Sequence, residues 1–424
     1  MARFRLTVPL VVAATALALA LSGIGAHGFW FDEAYTARLA VLDWPRLIAG
    51  AVRDIHPPGW PLLAGVFARL PMPTEWALRL PSAICFAALT GVLAARCAPA
   101  GVALLFYTPL LDQASQARPY SALSLGLVVL VQLVERRWWL PAGVVAGLTA
   151  SLHALGGALA AAVLIATVPW QRIGRAGLVR LAIPTVAICG WWFPSFAASA
   201  GAYIRSPWYP TSQLADWWIV ADAGGAAFAA ALVVLALLFG RERSMLAPAL
   251  AVAVVLVGLG AAGVGVEIRK TGLVLLPLLL ATLDGTLLCR AVGVASAVAM
   301  LALSVRIPGR PDLREAHAVT LALQREVPVI SVFASEAAWY FRAPAPLPSD
   351  RFPAGIAGRL GQVVEAQNAD CIVSVALPGT FPEEADLPLP LRTVLHAEVT
   401  GLDVRLVGTE GCVVAPTPLG WHEP

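Results

Sequence analysis

Val8-Pro9-Leu10-Val11-Val12-Ala13-Ala14-Thr15-Ala16-Leu17-Ala18-Leu19-Ala20-Leu21-Ser22-Gly23-Ile24 is a run of 17 uncharged residues, preceded by Arg3 and Arg5. A cleaved export signal has the same outline, but its apolar core is only about 7–15 residues long. This run is closer to the roughly 20 residues that carry a helix across a bilayer. Comparable runs recur as far as Val305. The stretch is therefore read as a retained first helix with its N-terminus in the cytoplasm. Composition agrees: 59% of the chain is hydrophobic and 13% charged, against about 25% charged in soluble domains. Mean hydropathy is +0.77. The fold class expected is a polytopic α-helical membrane protein, and the formal charge of +3 gives no argument for nucleic-acid binding.

Further apolar runs lie at 77–95, 100–111, 120–134, 138–152, 155–170, 181–198, 223–240, 245–264, 272–289 and 291–305, which makes eleven with the first. Residues 57–70 form a shorter apolar segment containing Pro57, Pro58 and Pro61. If that segment does not cross, Arg96, Arg136, Arg137, Arg172, Arg175, Arg180, Arg241, Arg243 and Arg290 are cytoplasmic. Only Arg118, Arg205, Arg269 and Lys270 then occupy the opposite loops after the second span. Cytoplasmic loops are enriched in Arg and Lys, and nine against four places 57–70 as a re-entrant or interfacial helix on the outer face.

With that topology, Asp32, Glu33, His56, Arg118, His153, Arg269 and Lys270 share the outer side. So does the aromatic loop holding Tyr203, Trp208, Tyr209, Trp217 and Trp218, which suits an interfacial belt or a sugar-stacking role. The pair Asp32-Glu33 stands out, because carboxylates beside a membrane exit are costly and usually functional. After Val305 the composition changes to prolines and mixed charges. Strands are expected at 327–334 and 371–376, helices at 335–341 and 356–368, and one or two strands across 391–407. The expected domains are a transmembrane region at 1–305, whose first outer loop 27–76 carries the acidic pair, and a small extracytoplasmic α/β domain at 306–424. Cys85, Cys97, Cys189 and Cys289 lie in or near spans and read as small buried apolar residues. Cys371 and Cys412 could form a disulfide in an oxidising compartment.

Four local patterns occur in order. Asp32-Glu33 follows the first span, and His56-Pro57-Pro58-Gly59-Trp60 opens the short outer helix. Glu75-Trp76-Ala77-Leu78-Arg79-Leu80-Pro81-Ser82 opens the next span, where Arg79 can pair with Glu75 one helical turn away. Gln116-Ala117-Arg118-Pro119-Tyr120 begins the fourth. Together they resemble the integral-membrane glycosyltransferases of the GT-C class, especially the dolichyl-phosphate-mannose–protein mannosyltransferase-like family. The aminoarabinose transferase of lipid A is a more distant relative. The likeness covers roughly residues 1–170, and 267–277 more loosely.

The resemblance implies an enzyme of the outer face of the inner (plasma) membrane that takes a sugar, hexosyl or pentosyl, from a polyprenyl-phosphate donor. The acceptor would be a hydroxyl of a lipid, glycan or protein. The family's acidic motif falls on Asp32 and Glu33, its His-Pro-Pro on His56–Pro58, and its Arg-x-Tyr on Arg118 and Tyr120. His153 matches a frequent histidine. The late outer Arg-Tyr is here Arg269-Lys270, a departure that puts the late phosphate-binding assignment in doubt.

The residue chemistry reaches the same place. Attack of a hydroxyl on an anomeric carbon needs a base, which a carboxylate in a partly apolar site can supply. Asp32 is the candidate base and Glu33 its partner in orienting acceptor or sugar, although adjacent carboxylates could also hold a divalent metal. The leaving phosphate needs fixed cations. Arg118 and Arg269 suit it by their fork geometry and Lys270 as a point charge. A single displacement would invert the anomeric centre. Two other readings compete: a flippase or transporter of lipid-linked sugars, and a protein that binds such lipids without catalysis.

Overall fold

Prolines and short polar breaks divide the apolar runs into helices. The computed structural model describes residues 2–54, 56–204, 247–261 and 277–278. Toward the C-terminus it describes 313–323, 327–331, 339–341, 345–346, 360, 362–363, 365, 369–376, 387, 391–399, 402–412, 414, 417–418 and 421–422. The chain divides into two compact units, Met1–Ile24 with Leu39–Arg306, and Gly25–Arg38 with Ile307–Pro424. The acidic stretch thus belongs to the second unit.

The described helices of the first half are α1 (Ala2–Gly23), α2 (Phe31–Ala40), α3 (Trp44–Arg53), α4 (Gly59–Phe67), α5 (Thr74–Arg96) and α6 (Ala98–Leu105). They continue with α7 (Thr108–Ala114), α8 (Tyr120–Glu135), α9 (Trp139–Leu152), α10 (Gly156–Thr167), α11 (Gly174–Gly190), α12 (Phe193–Ile204) and α13 (Ala247–Ala261). Only Thr74–Arg96, among the described residues, is a single unbroken helix long and apolar enough to cross a membrane. Gly174–Gly190 and Phe193–Ser199 pass the same test together, with a bend of 56°.

Two expected spans are broken. The run at 100–111 forms α6 and α7, which part at Phe106-Tyr107. A helix continuing through Pro109 would lack the N–H for the Leu105 carbonyl and would set the proline ring against it. The run at 181–198 likewise forms α11 and α12, where Pro194 stands in the same relation to Gly190. The expected spans at 223–240, 272–289 and 291–305 fall largely or wholly outside the described residues.

In the first unit α1 packs on α5, α5 on α8, α8 on α9, and α9 on α11. Phe86, Leu89, Leu93, Leu104, Leu123, Leu127 and Leu130 fill the space between them. The surface of this bundle is apolar as well as its core. Leu10, Val11, Leu148, Ile165, Ile183 and Val186 face outward, whereas Ser82, Thr90, Gln113, Ser121, Ser124 and Thr149 are buried. Isolated exposed apolar side chains are ordinary. A whole surface of them, around a core that also holds buried hydroxyl and amide side chains, is the pattern expected where hydrocarbon is the solvent.

The second unit contains a mixed five-stranded sheet, β1 (Val329–Ser331), β2 (Ala345–Pro346), β3 (Cys371–Ala376), β4 (Arg392–Val399) and β5 (Leu402–Gly408), in the order β2-β1-β3-β5-β4. β1 runs parallel to β2 and β3, and β5 is antiparallel to β3 and β4. Ile330, Ile372 and Val407 meet Leu360, Val363, Leu387 and Leu391 in its core. Helix α14 (Leu313–Leu321) is tied down by the Trp421 indole, which donates to the Val319 carbonyl at 2.9 Å. Burial pushes the α14 residue His317 below its ordinary value of 6.5. Residues 339–341, expected in a helix, form a turn.

Cys371 and Cys412 are joined in a disulfide. It closes a long loop across the β3–β5 pair, where Cys371 lies opposite Gly408. Replacing both cysteines by serine is expected to destabilise this unit by about 2–4 kcal/mol. Urea-dependent hydrogen exchange of β3 and β5 in the detergent-solubilised chain would show it; unchanged protection would refute a stabilising role.

Candidate active site

The first unit gathers three of the sequence motifs around one short backbone segment, Ala117-Arg118. The Trp60 indole donates to the Ala117 carbonyl at 3.0 Å, and the Ser82 hydroxyl donates to the Arg118 carbonyl at 2.8 Å. Trp60 comes from the His-Pro-Pro-Gly-Trp motif and Ser82 from the Glu-x-x-x-Arg-x-Pro-Ser motif. Arg79, in that second motif, donates to the Ile24 carbonyl at 2.6 Å and so fastens the end of α1. The motifs lie far apart in sequence, yet two of them serve as clamps for the third.

Arg118 and Pro119 lead directly into α8, with Pro119 at its N-cap and no side-chain cap on the helix. The Arg118 guanidinium carbon lies 5.6 Å from the centre of the Tyr120 ring. His153 adds a second ring 5.3 Å from Tyr120, and His56 a third, 6.4 Å from His153. Four residues proposed from sequence, His56, Arg118, Tyr120 and His153, are therefore neighbours.

Backbone geometry fixes the two histidines. His153 is the C-cap of α9, and its Nδ1 accepts the Leu155 N–H at 3.1 Å. A neutral His153 therefore carries its proton on Nε2 and presents a donor there. His56 Nδ1 lies 3.4 Å from Oδ2 of Asp54, whose side chain is only 6% exposed. A carboxylate on one ring nitrogen leaves the other to face a ligand. Asp54 escaped the sequence reading, although an acid two residues before a motif histidine was the available signal.

Gly59 holds the two histidine segments together. A Cβ at this position would come within 2.8 Å of the Ser151 carbonyl carbon, and closer still to Ser151 oxygens. Backbone cannot give way as a flexible side chain can. Gly59→Ala is expected to cost about 1–3 kcal/mol by overpacking and to separate His56 from His153. Thermal unfolding together with the His56–His153 ring contact followed by NMR would check this; wild-type results for both would show that the close approach is dispensable.

Several buried polar atoms here have no hydrogen-bond partner among the described residues: Tyr120 Oη, Ser121 Oγ, Gln113 Oε1 and Gln116 Oε1. Tyr120 is 4% and Ser121 0% exposed. Leaving such groups unmet costs about 1–3 kcal/mol each. Two hydroxyls at the amino end of a 16-residue helix, with an arginine beside them, form a setting suited to an anion. Gln113, Gln116 and Ser121 were also missed from sequence.

In the second unit, Asp32 and Glu33 lie in the first turn of α2. Glu33 is buried, and its Oε2 accepts the Trp30 N–H at 3.4 Å. That is the reciprocal half of a capping box, which satisfies a donor at the helix start. Asp32 is half-buried, and its carbonyl accepts the Thr36 hydroxyl at 3.0 Å. The sequence candidates Arg269, Lys270, Trp208, Tyr209, Trp217 and Trp218 lie outside the described residues. No group of three or more potential metal ligands occurs among the described residues.

No protein-family model and no curated protein matches the chain. Solved structures do. ArnT from Cupriavidus metallidurans in the apo state aligns with a TM-score of 0.57 and 16% identity, covering 93% of this chain and 97% of that one. The same protein bound to undecaprenyl phosphate aligns at 0.55 and 15% identity over the same shares. The likeness is one of fold and spans both chains almost completely. It agrees with the distant GT-C resemblance read from the motifs.

Proposed function

We propose that this protein is a membrane glycosyltransferase that takes a sugar from a polyprenyl-phosphate donor. The observation that carries this reading is the buried polar setting at the start of α8: Arg118, with the hydroxyls of Tyr120 and Ser121 that have no hydrogen-bond partner among the described residues, inside a largely apolar bundle. A phosphate on a long apolar chain has the complementary chemistry. One of the solved structures sharing the fold is described as bound to undecaprenyl phosphate.

In the proposed reaction an acceptor hydroxyl oxygen attacks the anomeric carbon of the donor. The bond from that carbon to the phosphate oxygen breaks, and its electron pair leaves with the polyprenyl phosphate. Asp32 takes the hydroxyl proton, and Arg118 meets the charge that gathers on the phosphate. His56 and His153 donate to sugar or phosphate oxygens, and Arg269 and Lys270 supply further positive charge. Glu33 keeps the acidic turn folded beside orienting acceptor or sugar. One displacement inverts the anomeric centre. The sugar is a hexose or pentose, and the acceptor a lipid, glycan or protein hydroxyl. No cofactor is invoked, and a divalent metal at the acidic pair is left to test. The chain lies in the inner (plasma) membrane, its N-terminus cytoplasmic and its C-terminal domain outside.

The test is binding of an undecaprenyl phosphate to the purified chain in nanodiscs, with undecaprenol as the uncharged control. Binding that requires the phosphate supports the reading. Equal affinity for the two lipids would sink it.

A further inference from the structure

The acidic stretch is anchored from the far end of the chain. The Phe29 N–H donates to the Tyr340 hydroxyl at 2.8 Å, a bond spanning 311 residues of sequence. The Phe29 side chain is fully buried, and its ring meets Trp339 edge-on at 5.6 Å between centroids. Backbone and ring of one residue are thus both gripped by adjacent residues of a single turn.

That turn is itself supported. Phe341 is buried, and the His317 ring of α14 packs edge-on against it at 5.3 Å, with Tyr340 at 6.4 Å. On the other side of the grip, Phe29 is followed by Trp30, whose N–H is taken by Glu33. Asp32 is three residues from the anchor, less than one helical turn. A tether of this length, ending in a capped helix, transmits a displacement of Phe29 to Asp32 with little slack.

We propose that the Trp339-Tyr340 turn of the C-terminal region positions Asp32, so that this region is part of the catalytic apparatus and not an appendage. Tyr340 is a positioning residue: it acts through Phe29 and touches no reacting atom. The inference rests on the reading of Asp32 as the base. Its chemistry is simple. Proton abstraction needs the carboxylate within hydrogen-bond reach of the acceptor hydroxyl, and misplacement by about 1 Å can cost as much as 100-fold. A disordered outer loop would spread Asp32 over many placements; a fixed amide and a packed ring select one.

Tyr340→Phe removes the acceptor oxygen and keeps the ring, so the turn retains its packing against His317. In the full chain in nanodiscs, with a polyprenyl-phosphate-sugar donor, turnover is expected to fall about tenfold while donor KM stays near the wild-type value. Hydrogen exchange should accelerate over residues 28–33 and stay unchanged in β3 and β5. Trp339→Ala should do the same more strongly, and Trp339→Ala combined with Phe29→Ala should add little to either single change, since both remove the same ring contact. Wild-type turnover in Tyr340→Phe overturns the proposal, whether or not exchange rises, and so does faster exchange throughout the sheet. Asp32→Asn is run beside it. If that variant were fully active, the assignment of the base would fail and the positioning role with it. Loss of activity in Asp32→Asn with a silent Tyr340→Phe would remove only the positioning role.

Discussion

Asp32→Asn is expected to lower sugar transfer by about 100- to 10,000-fold, the usual contribution of a positioned general base, with donor binding retained. The amide has the shape of the carboxylate and cannot take a proton. Two bonds of this turn, from the Thr36 hydroxyl to the Asp32 carbonyl and from the Trp30 N–H to the Glu33 side chain, survive the change. Glu33→Gln makes the informative partner. Its amide oxygen can still accept the Trp30 N–H, so a role confined to capping predicts a loss below about tenfold. Equal losses in the two variants would instead mean that both charges serve the reaction. Radiolabelled transfer in membranes carrying each variant measures this. Wild-type transfer by Asp32→Asn would remove the catalytic assignment and favour a protein that binds or moves the lipid.

The helices were readable from sequence wherever an apolar run met a polar end, as in α5, α8 and α9. Their breaks were not, because a proline does not announce what it does. Pro9, Pro81 and Pro184 sit inside continuous α1, α5 and α11, whereas Pro109 and Pro194 accompany a break. The difference lies in whether tertiary neighbours and local backbone adjustment can absorb the freed carbonyl, and a one-dimensional pattern holds no record of that.

The candidate site divides in the same way. His56, Arg118 and His153 were visible because charged and ring donors are conspicuous in apolar surroundings, and Tyr120 came with the Arg-x-Tyr pattern of the resemblance. Ser121 was not. A hydroxyl in a helical run commonly bonds back to the preceding turn, as Thr15 does to Val11 and Thr167 to Val163. Only the structure shows that Ser121, fully buried in the bundle, has no partner among the described residues. The clamps from Trp60 and Ser82 onto Ala117 and Arg118 are side-chain-to-backbone bonds across 57 and 36 residues. Such bonds specify the side chain at one end and nothing at the other, so sequence carries half the message at best.

Arg118→Ala is expected to lower transfer by about 100-fold, comparable to the loss of one preorganised donor at a site of developing charge. The direction follows from what the clamps accomplish. Trp60 and Ser82 fix the backbone on both sides of the Ala117–Arg118 peptide, and the guanidinium is set near the Tyr120 ring. A charge held in place before the reaction costs no reorganisation when the phosphate departs. If Arg118 acts chiefly on that departing charge, kcat falls more than donor affinity; if it only binds the resting diester, KM rises and kcat stays. Arg118→Lys separates charge from geometry, because an ammonium keeps the positive charge and loses the planar fork. An intermediate rate is expected from it, with Arg118→Ala the slower of the two. Trp60→Phe leaves the cation and removes one clamp, so it should reproduce part of the Arg118→Ala loss without altering the charge. Transfer at the wild-type rate by Arg118→Ala would detach this arginine from the phosphate altogether.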